Sequence, residues 1–263
     1  MNELFAFGRT SGSEASDVSY GLGGDMKKTQ YVLQLLGFPG QADTLKCLIT
    51  AVEMGMETDS AVLDVMEGQD ESSEYLEISP YGMVPALKEA DYYVAGESGI
   101  MSYIEARGLG KRLPPKNAAL LAEQNYWSDI ACSEVGPNVK TLVQERILAP
   151  MHDSVYMMNT DAIEAARNAL IAPLDALDKQ LSENTFIIGN YSFADIHWTA
   201  YVHLLYESGD GDLVDNRPNL KAWFDRIRTH KSFSGQNVVA YDILPKLGDI
   251  KKKQLNSVVI DDF

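Results

Sequence analysis

Two cysteines among 263 residues leave no disulfide framework to build. Reduced thiols fit a cytoplasmic setting, which is the expected location. Basic residues are also in short supply. Lys and Arg total 22 against 38 Asp and Glu, for a net charge of −16. Nucleic acids and anionic membrane surfaces both select basic patches, so neither is an expected partner. No apolar run approaches the roughly 18 residues that cross a bilayer. The first residues show no basic stretch followed by an apolar one, so no secretory leader is expected. Among the four histidines, His197 and His203 stand six apart, whereas metal-holding pairs on one helix prefer i,i+4. No metal is therefore expected. There is no internal repeat.

What the chain does have is a change of pattern partway along. Residues 1–29 are rich in Gly, Ser and Asp and read as a flexible extension. Residues 31–38 form a compact apolar run, expected as a buried strand closed by Pro39-Gly40. Residues 43–54 carry helical spacing through Leu45, Leu48, Ile49 and Val52, with Gly55 as a stop. Residues 60–65 alternate as a second strand, and the acidic stretch 67–77 reads as a loop with a short helix. Residues 108–116, with two Gly, two Pro and three basic residues, read as a linker. Beyond it the strand signals fade. Helices are expected over 120–148 (interrupted near Gly136-Pro137), 161–181, 192–206 and 219–230. The division is thus 1–29 extension, 30–107 α/β domain, 108–116 linker, 117–243 all-helical domain and 244–263 tail. Within the helical half, Ser192 and Asp195 make a capping box, a role in folding and not in chemistry.

The segment from Ile78 to Arg107 carries the chemistry. It reads Ser79-Pro80-Tyr81-Gly82-Met83-Val84-Pro85-Ala86-Leu87, a turn over residues 88–91, a second strand, and then Glu97-Ser98 at the start of a helix. Proline has no N–H for a ladder and opens a strand or lies at an edge. A helix start offers free N–H groups to a carboxylate. Backbone pairing beside a helix end suits a small acidic peptide. Read without a ligand, the same residues are a β-hairpin followed by a capped helix in some other α/β domain.

These linked motifs resemble the glutathione-binding half of glutathione transferases, of the bacterial type similar to theta and β-etherase-like members. The resemblance covers roughly residues 31–240. It implies a thioredoxin-like N-terminal domain followed by an all-helical C-terminal domain. It also implies glutathione as co-substrate, a small hydrophobic electrophile, a homodimer and a detoxifying role. Residue by residue, it places Met83, Val84, Pro85, Glu97 and Ser98 on glutathione. At the first strand-to-helix turn it makes Thr44 the thiol-activating donor, with Gln41 second. A hydroxyl or amide there favours the thiolate, the reactive form. Tyr126 would line the electrophile site and act as an acid on a leaving group. Thr44 and Asp43 would equally serve as first-turn caps without a ligand.

Two departures from the family stand out. Asp43 would repel a thiolate that it faced. The loop 67–74 lacks the basic residue that pairs the glycine carboxylate, leaving Gln69, Ser72, Ser73, Lys46 or Lys88 as donors. Both favour a second function, a non-catalytic binding or interaction module of the same fold. A third is glutathione-dependent reduction through Cys47, although a free Cys inside a helix is expected in the core, and Cys132 likewise.

Overall fold

The computed structural model describes residues 32–38, 40–153 and 155–234. The extension 1–29 and the tail 244–263 lie outside the described residues. The first half comprises β1 (Leu33–Gly37), α1 (Ala42–Glu53), β2 (Thr58–Val62), α2 (Ser73–Ile78), β3 (Ala86–Glu89), β4 (Tyr92–Ala95) and α3 (Glu97–Arg107). The strands form one sheet in the order β2-β1-β3-β4. β2 is parallel to β1, whereas β3 and β4 are antiparallel neighbours. This mixed four-stranded sheet with its helices is the expected thioredoxin-like domain. Leu33, Leu35, Leu36 and Leu87 are all buried, as a central pair of strands covered on both faces requires.

The hairpin turn is shorter than the expected 88–91. Glu89 pairs with Tyr92 across the ladder, leaving only Ala90 and Asp91 to turn, with Ala90 at φ 54°. Tight two-residue turns need positive φ. Lys88 and Glu89 stay in the strand because the buried Glu89 carboxylate is claimed by α3. It accepts from Tyr103 and pairs with Arg107 at 2.5 Å.

After residues 108–117, which hold no helix or strand, every regular segment among the described residues is helical. The linker lies against the end of α1, where Leu109 and Gly110 both donate to the Met54 carbonyl. Gly110 is forced there: a Cβ would stand 2.2 Å from the Glu53 carbonyl oxygen.

The interruption expected at Gly136-Pro137 does not occur. Helical backbone runs through α4 (Ala118–Ile130), a π turn (Ala131–Val135), α5 (Gly136–Val143), a second π turn (Gln144–Leu148) and α6 (Ala149–His152). Pro137 falls in the first turn of α5, directly after a π turn, where a missing N–H and fixed φ are tolerated. Pro150 repeats the arrangement in α6. α7 (Thr160–Gln180) carries Pro173 without ending, and α8 (Phe193–Glu207), α9 (Asp212–Asp215), α10 (Pro218–Thr229) and α11 (Lys231–Ser234) complete the domain. No helix among the described residues is long and apolar enough to cross a membrane.

The capping box opens α8. Asp195 is fully buried; its Oδ2 accepts from the Ser192 N–H and hydroxyl, and its Oδ1 from the Ile187 N–H and Trp223 Nε1. Burial pushes its pKa up to about 6, against the pull of these donors. The larger core runs from the sheet side of α1 through Trp127 and Trp198 to Trp223 and Phe224, and a smaller cluster of Leu36, Leu63, Tyr75 and Ala86 lies apart from it. α1 and α8 meet at the junction of the two halves.

Candidate active site

The Val84–Pro85 bond is cis. The loop before it is tied down by Ser79, whose hydroxyl accepts from the Met83 N–H at 2.7 Å and donates to the Met83 carbonyl at 3.1 Å. Tyr75 donates to the same carbonyl at 2.6 Å. Pro85 is held from the other side, its carbonyl accepting from Gly96. Between these anchors Val84 forms no backbone hydrogen bond with a described residue. Its peptide groups are open to an extended chain laid alongside. Met83 is half-exposed next to them.

α3 begins immediately behind. Its N-cap is Gly96, so no side chain satisfies the first-turn N–H groups. Ser98, in that turn, is exposed, with its hydroxyl 3.4 Å from Glu97 Oε2. Glu97 points a different way. Its Oε1 lies 3.4 Å from Lys46 Nζ and 3.2 Å from His197 Nδ1. Burial raises its pKa, and Lys46 opposes the rise.

At the start of α1 the candidate thiol activator Thr44 faces the interior. The Thr44 hydroxyl is fully buried and accepts from the Phe38 N–H at 3.2 Å. Gly37 makes room for it, since a Cβ there would stand 2.5 Å from the Thr44 methyl. The side chain stitches α1 to the end of β1. Gln41, the N-cap, keeps its amide free of hydrogen bonds to described residues, with Oε1 buried. Replacing Thr44 by Val should therefore cost about 1–3 kcal/mol of stability by orphaning the Phe38 N–H. Urea titration measures this, and an unchanged midpoint would contradict the inward orientation.

Lys46, one of the donors expected for the glycine carboxylate of glutathione, is completely buried at the junction of the halves. Its ammonium contacts Asp43 at 2.9 Å, Tyr201 at 2.9 Å and Cys132 at 3.7 Å. Burial alone would lower its pKa, but Asp43, Tyr201 and Glu97 outweigh it and the pKa is raised. Gly136 permits the approach of Tyr201, because a Cβ there would stand 2.8 Å from the Tyr201 hydroxyl. Asp43 is thus neutralised by Lys46 and does not stand as a bare charge. The only sequence sign was a lysine between Leu45, Cys47 and Leu48.

Several polar side chains of the loop 67–74 already have partners within the chain. Gln69 Oε1 accepts from Asp64, Ser72 caps α2, and Ser73 donates to Glu74. Lys88 lies over the Tyr93 ring. Tyr126 is exposed on α4, edge-on to the buried Trp127. Cys47 is fully buried, which weighs against the reduction reading, and burial pushes its thiol pKa well up.

A thioredoxin-like domain with an open peptide edge beside an uncapped helix start, followed by an all-helical domain, is a two-domain arrangement whose edge could pair with an extended acidic peptide. Two family models make the class specific. Residues 31–106 match the glutathione S-transferase N-terminal domain and residues 147–231 the glutathione S-transferase C-terminal domain, together more than half of the chain. The chain belongs to the glutathione S-transferase superfamily. It is similar to glutathione S-transferase F10 of Arabidopsis thaliana, 27% identical over 73% of this chain and 90% of that one. Glutathione S-transferase F6 of the same plant is 25% identical over 76% of this chain and 96% of its own. Among solved structures, glutathione transferase F7 from Populus trichocarpa superposes with a TM-score of 0.72, at 26% identity over 80% of this chain and 99% of that one. These are plant proteins, and they do not single out the bacterial type.

Proposed function

We propose that the protein conjugates glutathione, as thiolate, to a small hydrophobic electrophile. The unpaired Val84 peptide groups beside the uncapped start of α3 carry this reading. Glutathione is an extended acidic tripeptide; its backbone pairs with Val84, and its γ-glutamyl carboxylate takes the first-turn N–H groups of α3 and the Ser98 hydroxyl. Met83 and Pro85 shape the edge. That places the thiol toward the start of α1, where the Gln41 amide and the α1 N–H groups take the role once given to Thr44. The thiolate attacks the electrophilic carbon and forms a C–S bond. The electron pair leaves with a halide or an aryl oxide, or moves to an epoxide oxygen that Tyr126 protonates. Epoxide, halide and aryl ether share this step. Homodimer assembly, a cytoplasmic location and detoxification accompany the reading as its family context.

The alternative, a non-catalytic module of the same fold, rests on the loop 67–74, which offers no basic partner for the glycine carboxylate. The bare charge of Asp43 no longer supports it, since Lys46 neutralises that carboxylate.

Calorimetry with glutathione tests the site. Ser98→Ala should weaken affinity by about 1.5–3 kcal/mol, roughly 10- to 150-fold, with thermal stability unchanged. Affinity equal to that of the parent removes Ser98 from the site. Turnover of an aryl halide or an epoxide by the parent then separates the enzyme from the binding module.

A further inference from the structure

Three lone-pair donors from three separate elements converge at the junction of the two halves: Glu97 at the start of α3, Cys132 in the first π turn, and His197 on α8. His197 Nδ1 lies 3.2 Å from Glu97 Oε1 and 3.4 Å from Cys132 Sγ, and all three donor atoms fall within 4.8 Å of one another. Glu97 Oε1 is buried, yet neither His197 nor Lys46 meets it in hydrogen-bond geometry. A carboxylate oxygen, an imidazole nitrogen and a sulfur thus face one point with no donor aimed between the first two.

We propose that Glu97, Cys132 and His197 form a three-ligand site for a zinc-type divalent cation. The spacing suits such an ion. With Zn–S near 2.3 Å and Zn–N and Zn–O near 2.0–2.2 Å, tetrahedral edges come to about 3.6 Å for S···N and about 3.4 Å for N···O. The contacts of 3.4 and 3.2 Å lie near these edges, and the sulfur–oxygen pair, within 4.8 Å, closes toward about 3.6 Å by side-chain rotation. A mixed S, N, O set selects a borderline-soft ion over Mg²⁺ or Ca²⁺, which take oxygen alone. Three protein ligands leave a fourth position for water or an incoming ligand.

The surrounding charge also balances. Asp43, Glu97 and a Cys132 thiolate supply three negative charges; Lys46 and a divalent ion supply three positive ones. Lys46 sits 3.4 Å from Glu97 Oε1 and 3.7 Å from Cys132 Sγ, anchored away from the convergence point by Asp43 and Tyr201. Two of the ligands are supported where they stand. Cys132 lies in a π turn, a feature frequent at functional sites. His197 is carried by α8, which is fixed through Asp195 and through Trp198 donating to the Trp127 carbonyl at 2.9 Å. The spacing of His197 and His203 gave no hint, because the three ligands come from elements far apart in the chain.

Cobalt titration of the reduced, chelator-treated full chain is the test. One equivalent of Co²⁺ should give intense tetrahedral visible bands and a thiolate-to-cobalt charge-transfer band, both abolished by one equivalent of Zn²⁺. Cys132→Ser should eliminate the charge-transfer band, and His197→Gln, with its circular dichroism matching the parent, should weaken binding at least about tenfold. Only weak octahedral absorption, or a charge-transfer band that survives Cys132→Ser and disappears in Cys47→Ala, would overturn the assignment.

Discussion

Asp195→Ala should leave the helical domain unable to hold its native packing, lowering stability by about 4–5 kcal/mol or more. The wild-type carboxylate is fully buried and accepts from four donors on three segments. Alanine removes all four acceptances and strands two backbone N–H groups and the Trp223 indole N–H in the core. Each orphaned buried donor costs about 1–3 kcal/mol, against a typical total stability of about 5–15 kcal/mol. Asp195→Asn keeps one carbonyl oxygen and should lie between the two. Guanidinium unfolding followed by tryptophan fluorescence measures the series, since Trp198 and Trp223 are both fully buried. A loss under about 1 kcal/mol for Asp195→Ala would show that the box is dispensable.

The second large effect concerns Lys46→Met. Removing one partner of a buried ion pair leaves the other charge uncompensated, at about 3–5 kcal/mol. Here Glu97, only 12% exposed, would be the carboxylate left behind, with Asp43 partly rescued by solvent. Adding Glu97→Gln removes that orphaned charge, so the double variant should recover much of the loss. Chemical unfolding of the two single variants and the double one gives the coupling directly. Simple additivity would mean that Lys46 and Glu97 do not interact, and the cost of Lys46→Met would then fall on its contacts with Asp43 and Tyr201.

Local pattern carried the fold well and the junction poorly. The strands at 33–37 and 86–89, the helix behind Glu97 and the cap at Ser192 each declare themselves within a few residues. Their causes are local: alternation, turn chemistry and first-turn hydrogen bonds. The π turns were invisible, because one extra residue in a helical path changes no composition. Gly136-Pro137 looked like a break for the same reason. Thr44 misled because the N3 position of α1 turns inward, toward Phe38, a direction set by how α1 packs on β1. Lys46, Cys132, His197 and Tyr201 converge only after both halves are docked. No window along the chain contains them.

Lys46 has one more consequence, which concerns the order in which the chain is made. Its hydroxyl partner Tyr201 follows it by 155 residues. At a synthesis rate of about 5–20 residues per second, roughly 8–30 s separate the two on the ribosome. Throughout that interval the sheet-bearing half can close, while the face of α1 destined for α8 has nothing to cover it. A charged ammonium on that face opposes dry apolar contact, because an unpaired charge is costly to take out of water. When Tyr201 arrives, the same charge is withdrawn from water.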